Sequence, residues 1–221
     1  MAGPAFLAAR DGGSEMDWHE WDNHFDFYLA TDWVITETGS GTRAISQADG
    51  GVLLITNAAA DDDHNLIQLR DVASGQVAEH WLYSATKRMY FGARFKVSDA
   101  TQSDFVMGLQ VTDTSPLAVS DGIYFRKDDG DDDLDFIVMG SSVSTGSPTN
   151  VYTVVDDTYM VLEWMYNGDG NFAAFVDGNP VGGVDVDNAP ATELTVSFAI
   201  QNGAAAAKSM SIDWIKVAKE R

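Results

Sequence analysis

The sequence predicts an all-β sandwich, and three observations carry that prediction. Apolar and polar residues alternate with a period of two through most of Met89 to Val217, the pattern of strands that turn one face to a core. Clusters of Gly, Asn, Asp and Pro interrupt the alternation every 8 to 12 residues or so, the spacing of sandwiches and barrels. Sustained helical periodicity is absent, and no repeat of solenoid or propeller length stands out.

Residues 1–22 differ from the rest and read as an extended arm. Pro4, Gly12, Gly13 and Ser14 break regular structure, while Phe6, Leu7, Met16, Trp18 and Trp21 occur without a period. A free tail carries fewer aromatics, so this arm is expected to pack on something. Phe6, Leu7, Trp18 and Trp21 are the candidate partner-binding residues; the competing reading is that Trp18 and Trp21 cover the chain's own sandwich. Residues 23–221 form the domain.

Within the domain, Trp33–Thr36 and Val52–Thr56 read as strands separated by a glycine-rich stretch, Gly39 to Gly51. Asn65–Leu69 follows the acidic turn Asp61-Asp62-Asp63, and residues 70–87 read as a loop with a short helical turn. In the strand that begins at Met89, the residues Met89, Phe91, Ala93, Phe95 and Val97 share one face, with Arg94 and Lys96 opposite. Phe105, Met107, Leu109 and Val111 form the next apolar face. Gly122–Arg126 and Leu134–Met139 flank an acidic turn as a hairpin. Tyr159–Tyr166 and Phe172–Val176 flank Asn167-Gly168-Asp169-Gly170, residues that tolerate positive φ. A turn at Asp177-Gly178-Asn179-Pro180 leads to a short returning strand. Leu194, Val196, Phe198 and Ile200 alternate with polar neighbours, and Met210, Ile212 and Trp214 are expected on the core face of the last strand. The total is about a dozen antiparallel strands in one domain.

Composition narrows the function. The 34 acidic residues outnumber the 13 basic ones, for a net charge of -21, which repels phosphate backbones and anionic membranes. Nucleic acid and membranes are therefore not expected partners. With no cysteine, disulfides, thiolate metal sites and thiol nucleophiles are excluded. The N-terminus lacks a basic start and a long apolar run, so synthesis in a cytoplasm without a cleaved signal is expected.

Catalytic sets are not apparent. The run Asp128 to Asp135 has the spaced carboxylates a calcium ion requires, with Asp129, Asp131 and Asp133 as weak metal candidates. If Asp131, Asp133 and Asp135 begin an EF-hand loop, its glycine and bidentate glutamate positions hold Phe136 and Ser142, so a solvated hairpin tip is the better reading and no cofactor is expected. The same three residues have the alternate spacing of a glycosidase strand, but all are Asp, and the first two lie in or beside a turn. The chain has seven Glu residues and no Glu-x-Asp-x-Glu; Glu163 stands alone on an otherwise apolar strand. His19 and His24 lie five apart among acidic residues and match no usual zinc spacing; His64 and His80 are isolated. No nucleophile elbow or phosphate-binding glycine loop occurs. Trp164 and Trp214 read as core residues rather than sugar platforms.

The segments Phe91–Val97, Glu163–Val176 and Met210–Val217 resemble the concanavalin A-like lectin/glucanase superfamily (LamG-like), over about residue 24 to the end. That resemblance implies a jelly-roll sandwich. The glucanases' catalytic carboxylates find no matching positions here, so hydrolysis is not carried over. Phe95–Ala100, Asp121–Gly130 and Leu194–Lys208 resemble a group of tailed-phage structural proteins whose genes tend to lie near the major capsid gene. This second resemblance implies a non-enzymatic capsid decoration (cement) protein on the virion exterior. Its partners would be the major capsid protein and other copies of itself, as a trimer or dimer. The alternative is a carbohydrate-binding, lectin-like module on the virion for host-glycan adhesion, and a third class is a divergent glycosidase.

Overall fold

The computed structural model describes residues 17–46, 50–71, 75–76, 78, 80–115, 117–144 and 146–221. Two eight-stranded antiparallel sheets pack face to face. With strands numbered in chain order, sheet one holds β1 (Trp18–Asn23), β3 (Thr42–Ser46), β4 (Val52–Thr56), β7 (Met89–Val97), β12 (Met160–Tyr166), β13 (Asn171–Val176), β14 (Asn179–Asp185) and β16 (Ser209–Glu220). Sheet two holds β2 (Trp33–Thr38), β5 (His64–Leu69), β6 (Trp81–Leu82), β8 (Ser103–Gln110), β9 (Gly122–Lys127), β10 (Asp133–Met139), β11 (Tyr152–Thr153) and β15 (Glu193–Asn202). The strand order is β14-β13-β12-β7-β16-β4-β3 in sheet one and β11-β10-β9-β8-β15-β5-β2 in sheet two, with β1 on β16 and β6 on β15.

The alternation read from the sequence is the alternation that builds the core. Met89, Phe91, Ala93, Phe95 and Val97 meet Phe105, Met107, Leu109, Phe125, Phe136 and Phe198 in one apolar cluster. Trp164 lies at its centre, fully buried, stacked on Phe91 at 6.1 Å and edge-on to Phe172 at 5.9 Å. Asp177 and Gly178 form a two-residue hairpin between β13 and β14, with φ of 50° and 78°; this doubly positive geometry matches the right-handed twist of the flanking strands.

Two expectations are corrected. The domain boundary after residue 22 falls inside β1, which pairs with β16 from Trp18↔Glu220 to Asn23↔Ile215. Trp18 is buried and Trp21 packs on the main core, so both belong to the sandwich rather than to an arm; Phe6 and Leu7 lie outside the described residues. Second, Trp214 is not on the core face. A β-bulge between Ile212 and Trp214 shifts the register by one residue, sending Ile215 and Val217 inward and Trp214 outward. Within residues 70–87, Gly75 N–H donates to Asp71 O at 2.8 Å, the i to i+4 bond of a single helical turn, and Trp81–Leu82 form the two-residue strand β6.

Removing residues 1–23 takes a paired strand and the buried Trp18 from sheet one. We expect this truncation to lower unfolding stability by ~2–4 kcal/mol, read from urea midpoints. A stability equal to the full chain's contradicts the assignment of β1 to the sandwich.

Candidate functional site

The side of sheet two that faces away from the core carries Gln68, Asp104, Gln110, Thr195 and Ser197, each at most 3 % exposed. Polar residues on an outer sheet face are buried only if something covers them. Here the cover is the segment between β8 and β9, whose Val111, Leu117 and Val119 pack on Leu66, Val106, Tyr124, Ile137 and Ala199 as a second small core. The Gln68 amide fastens it: Nε2 donates to Val111 O and to Ser197 Oγ, both at 2.9 Å, while Asp113 N–H donates to Gln68 Oε1 at 3.3 Å. Beneath it β8 and β9 pinch together. A Cβ on Gly108 would lie 2.5 Å from Tyr124 Cα, so only glycine fits there.

Two polar groups on this face are held at a cost, Tyr124 beneath the cover and Asp104 beside the 127–130 turn. The Tyr124 hydroxyl is buried without a hydrogen-bond partner, and burial raises its pKa to about 12. Burial also pushes the Asp104 carboxyl up to about 6, against the hydrogen bond it accepts from Asp129 N–H at 2.6 Å. At the end of β9 the Lys127 ammonium donates to Ser103 O at 2.8 Å and Asp128 O at 2.6 Å; burial lowers its pKa. These groups knit the 101–104 and 127–130 turns together.

The acidic residues singled out in the sequence serve their own turns. Asp131 Oδ1 accepts Asp133 N–H at 3.0 Å, and Asp135 Oδ1 accepts Asn150 N–H at 2.9 Å. Asp133 and Asp135 share the outer face of β10, but Asp131 stays in the turn, so the triple carboxylate row is not assembled. Among the described residues no group of three His, Cys, Asp or Glu side chains is placed to hold a metal, and Asp129, Asp131 and Asp133 form no such group. His19 stacks on Trp81 at 4.5 Å while His24 pairs with Asp22, so the two histidines serve different contacts. In the turn Asp61 to Asp63, Asp63 is buried and accepts Ala60 N–H at 3.0 Å. It adjoins an asparagine network in which Asn65 Nδ2 donates to Asn57 Oδ1 at 2.7 Å and Asn57 Nδ2 to Asn202 Oδ1 at 3.1 Å.

Among the described residues, two cavities that open on the surface are of note. One of about 390 Å³ lies at the edge of the sandwich, lined by Trp21, Asn23, Asp32, Trp33, Arg70 and His80 among others. Trp21 stands edge-on to Trp33 at 5.9 Å. An apolar floor with a few convergent polar groups, at this volume, is the usual composition of a small-molecule pocket. The other cavity, about 380 Å³, is lined by Thr38, Asp62, His64, Thr114, Ser115 and Gln201 among others. The sequence signalled neither cavity, because each brings together loops far apart in the chain.

No family model and no curated protein matches the chain. Solved structures do. A Shewanella oneidensis MR-1 protein of unknown function superposes with a TM-score of 0.63 at 16% identity, over 100% of this chain and 95% of the other. The carbohydrate recognition domain of Emp47p gives 0.62 at 12% identity, over 93% and 98%. A prokaryotic β-1,3-1,4-glucanase (lichenase) from a mouse hindgut metagenome gives 0.61 at 16% identity, over 90% and 98%. The fold is the concanavalin A-like jelly roll of lectins and glucanases. At these identities the likeness is one of fold.

Asp104 provides a pH signature for the covered face. Its folded pKa of about 6 lies above the ordinary 3.8, so the fold favours the acid form. The stabilisation from this group is complete below about pH 4 and is lost as pH rises through about 6. Asp104→Asn should therefore raise stability by ~1–2 kcal/mol at pH 7 and flatten the profile between about pH 4 and 6 in urea titrations. An unchanged profile contradicts the burial of this carboxyl.

Proposed function

We propose that this chain is a non-enzymatic virion structural protein: a decoration protein that binds the outer surface of a phage head and stabilises it. The observation that carries the reading is the covered outer face of sheet two. Its middle strands offer buried amides, hydroxyls and the single carboxyl of Asp104, rather than two carboxyls spanning an open cleft as glycoside hydrolysis requires. A sandwich filled on both sides of one sheet suits a rigid part used in many copies. The net charge of -21 keeps such copies soluble, and an acidic outer surface repels free nucleic acid. The resemblance to tailed-phage head proteins supplies the partner, the major capsid protein, and the location, the virion exterior after synthesis in the host cytoplasm.

The edge cavity with Trp21 and Trp33 favours a second reading, a lectin-like module that adheres to host glycans. Trp21 is half-buried, and the side chains around it could bond sugar hydroxyls.

A ligand that binds only the assembled shell stabilises that shell by mass action. Purified protein added to heads that lack it should raise the temperature at which they release DNA, saturably with concentration. Unchanged release temperature at full dose overturns the decoration reading. Retarded migration in gels containing neutral polysaccharide, abolished by Trp21→Ala, would move the assignment to the glycan reading.

A further inference from the structure

The outer face of sheet one is unlike the rest of this acidic molecule. Across β13, β12, β7 and β16 it presents Phe175, Met165, Val161, Tyr159 and Trp214, all half-buried and apolar or aromatic. Below them lie Trp18, Tyr90 and Ala218, buried as a small cluster against Met165 and Phe175. Gly92 makes the level surface. A Cβ there would lie 2.2 Å from the Tyr90 hydroxyl and 3.3 Å from the Trp214 ring, so both rings lie down across the strand. The Tyr90 hydroxyl donates to Glu163 Oε1 at 2.7 Å, while Glu163 Oε2 is buried with no hydrogen-bond partner. Burial raises the Glu163 pKa toward the neutral acid.

Among the described residues, four ion pairs lie on this face. Arg88 pairs with Glu220 at 3.5 Å, Lys96 with Asp157 and Lys216 with Glu20 at 3.0 Å each, and Arg94 with Asp213. These pairs gather four of the chain's 13 basic residues on one face, beside the carboxyls of Asp22, opposite Lys216, and of the buried Glu163. Two copies of a molecule with a net charge of -21 repel one another in most orientations. A face on which basic residues are concentrated lowers that repulsion, which favours it for contact between copies. Its size suits the same occupant: with β7 nine residues long and four strands side by side, it measures roughly 20 by 30 Å, or ~600 Å² before side-chain relief. A stable pair buries about 800 Å² of accessible surface on each partner.

We propose that the outer face of sheet one is a self-association surface, on which a second copy of this chain docks by an isologous two-fold contact centred on Phe175, Met165 and Trp214. The inference does not depend on the decoration or the glycan reading.

Sedimentation of the full chain up to about 100 µM tests it, a range that populates a dimer of ~10 µM Kd. The wild type should approach twice its 23.9 kDa mass. Raising the salt should tighten the pair, because screening removes the repulsion between the two acidic bodies while the apolar contact persists. Phe175→Asp and Met165→Glu should each weaken association about 10-fold or more, with circular dichroism confirming the fold. Lys216→Glu, a surface charge reversal that leaves the apolar residues in place, should weaken it as well. Leu29→Asp, at a residue 53% exposed on the link between β1 and β2, should leave it unchanged. A monomer throughout the range overturns the proposal, and so does a dimer indifferent to all three face substitutions.

Discussion

Two long strands hold this molecule together, and the other elements are arranged around them. β16 in sheet one and β15 in sheet two are consecutive in the chain and occupy corresponding places in the two strand orders. On one side each pairs along most of its length with a single strand, β7 or β8. On the other side each carries two strands end to end, β4 and β1 on β16 and β5 and β6 on β15. A strand of ordinary length could not span both partners. The bulge at Asp213 belongs to this arrangement, because it rotates the second half of β16 so that Ile215 and Val217 keep facing the core. The burial of those rows against Phe198 and Ile200 is the apolar contact on which both sheets rely.

The long strands were legible because two-residue periodicity survives over seven or more residues, as in Met89 to Val97 and Leu194 to Ile200. The edges were not. β6 and β11 are two residues each and have no period to read. β1 was hidden for a different reason: its sequence Trp-His-Glu-Trp-Asp-Asn mixes aromatic and polar residues on both faces, and its partner β16 is far away in the sequence. Trp214 was misplaced because one bulged residue reverses every later side chain, and no local residue announces the bulge. The acidic turns were read correctly as turns because Asp side chains that accept nearby backbone N–H groups favour that geometry locally.

The candidate site was less legible than the fold, since burial on an outer sheet face depends on a segment folding back. Nothing in Gln68 or Tyr124 as sequence reveals that Leu117 and Val119 lie over them. Once that cover is in place, the buried Gln68, Gln110, Ser197 and Thr195 act as fasteners and fillers, and Asp104 and Tyr124 as tolerated costs. A scaffold shared in fold with lectins and glucanases thus presents a covered face on one sheet and a level face bearing four ion pairs on the other.

The most direct test of the proposed decoration role is cryo-electron microscopy of phage particles from cells in which the protein is made. The account predicts ordered density for the sandwich on the outside of the head, seated on capsid subunits at full occupancy. Particles whose shells lack that density, with the protein found at the tail or absent from the virion, would contradict it.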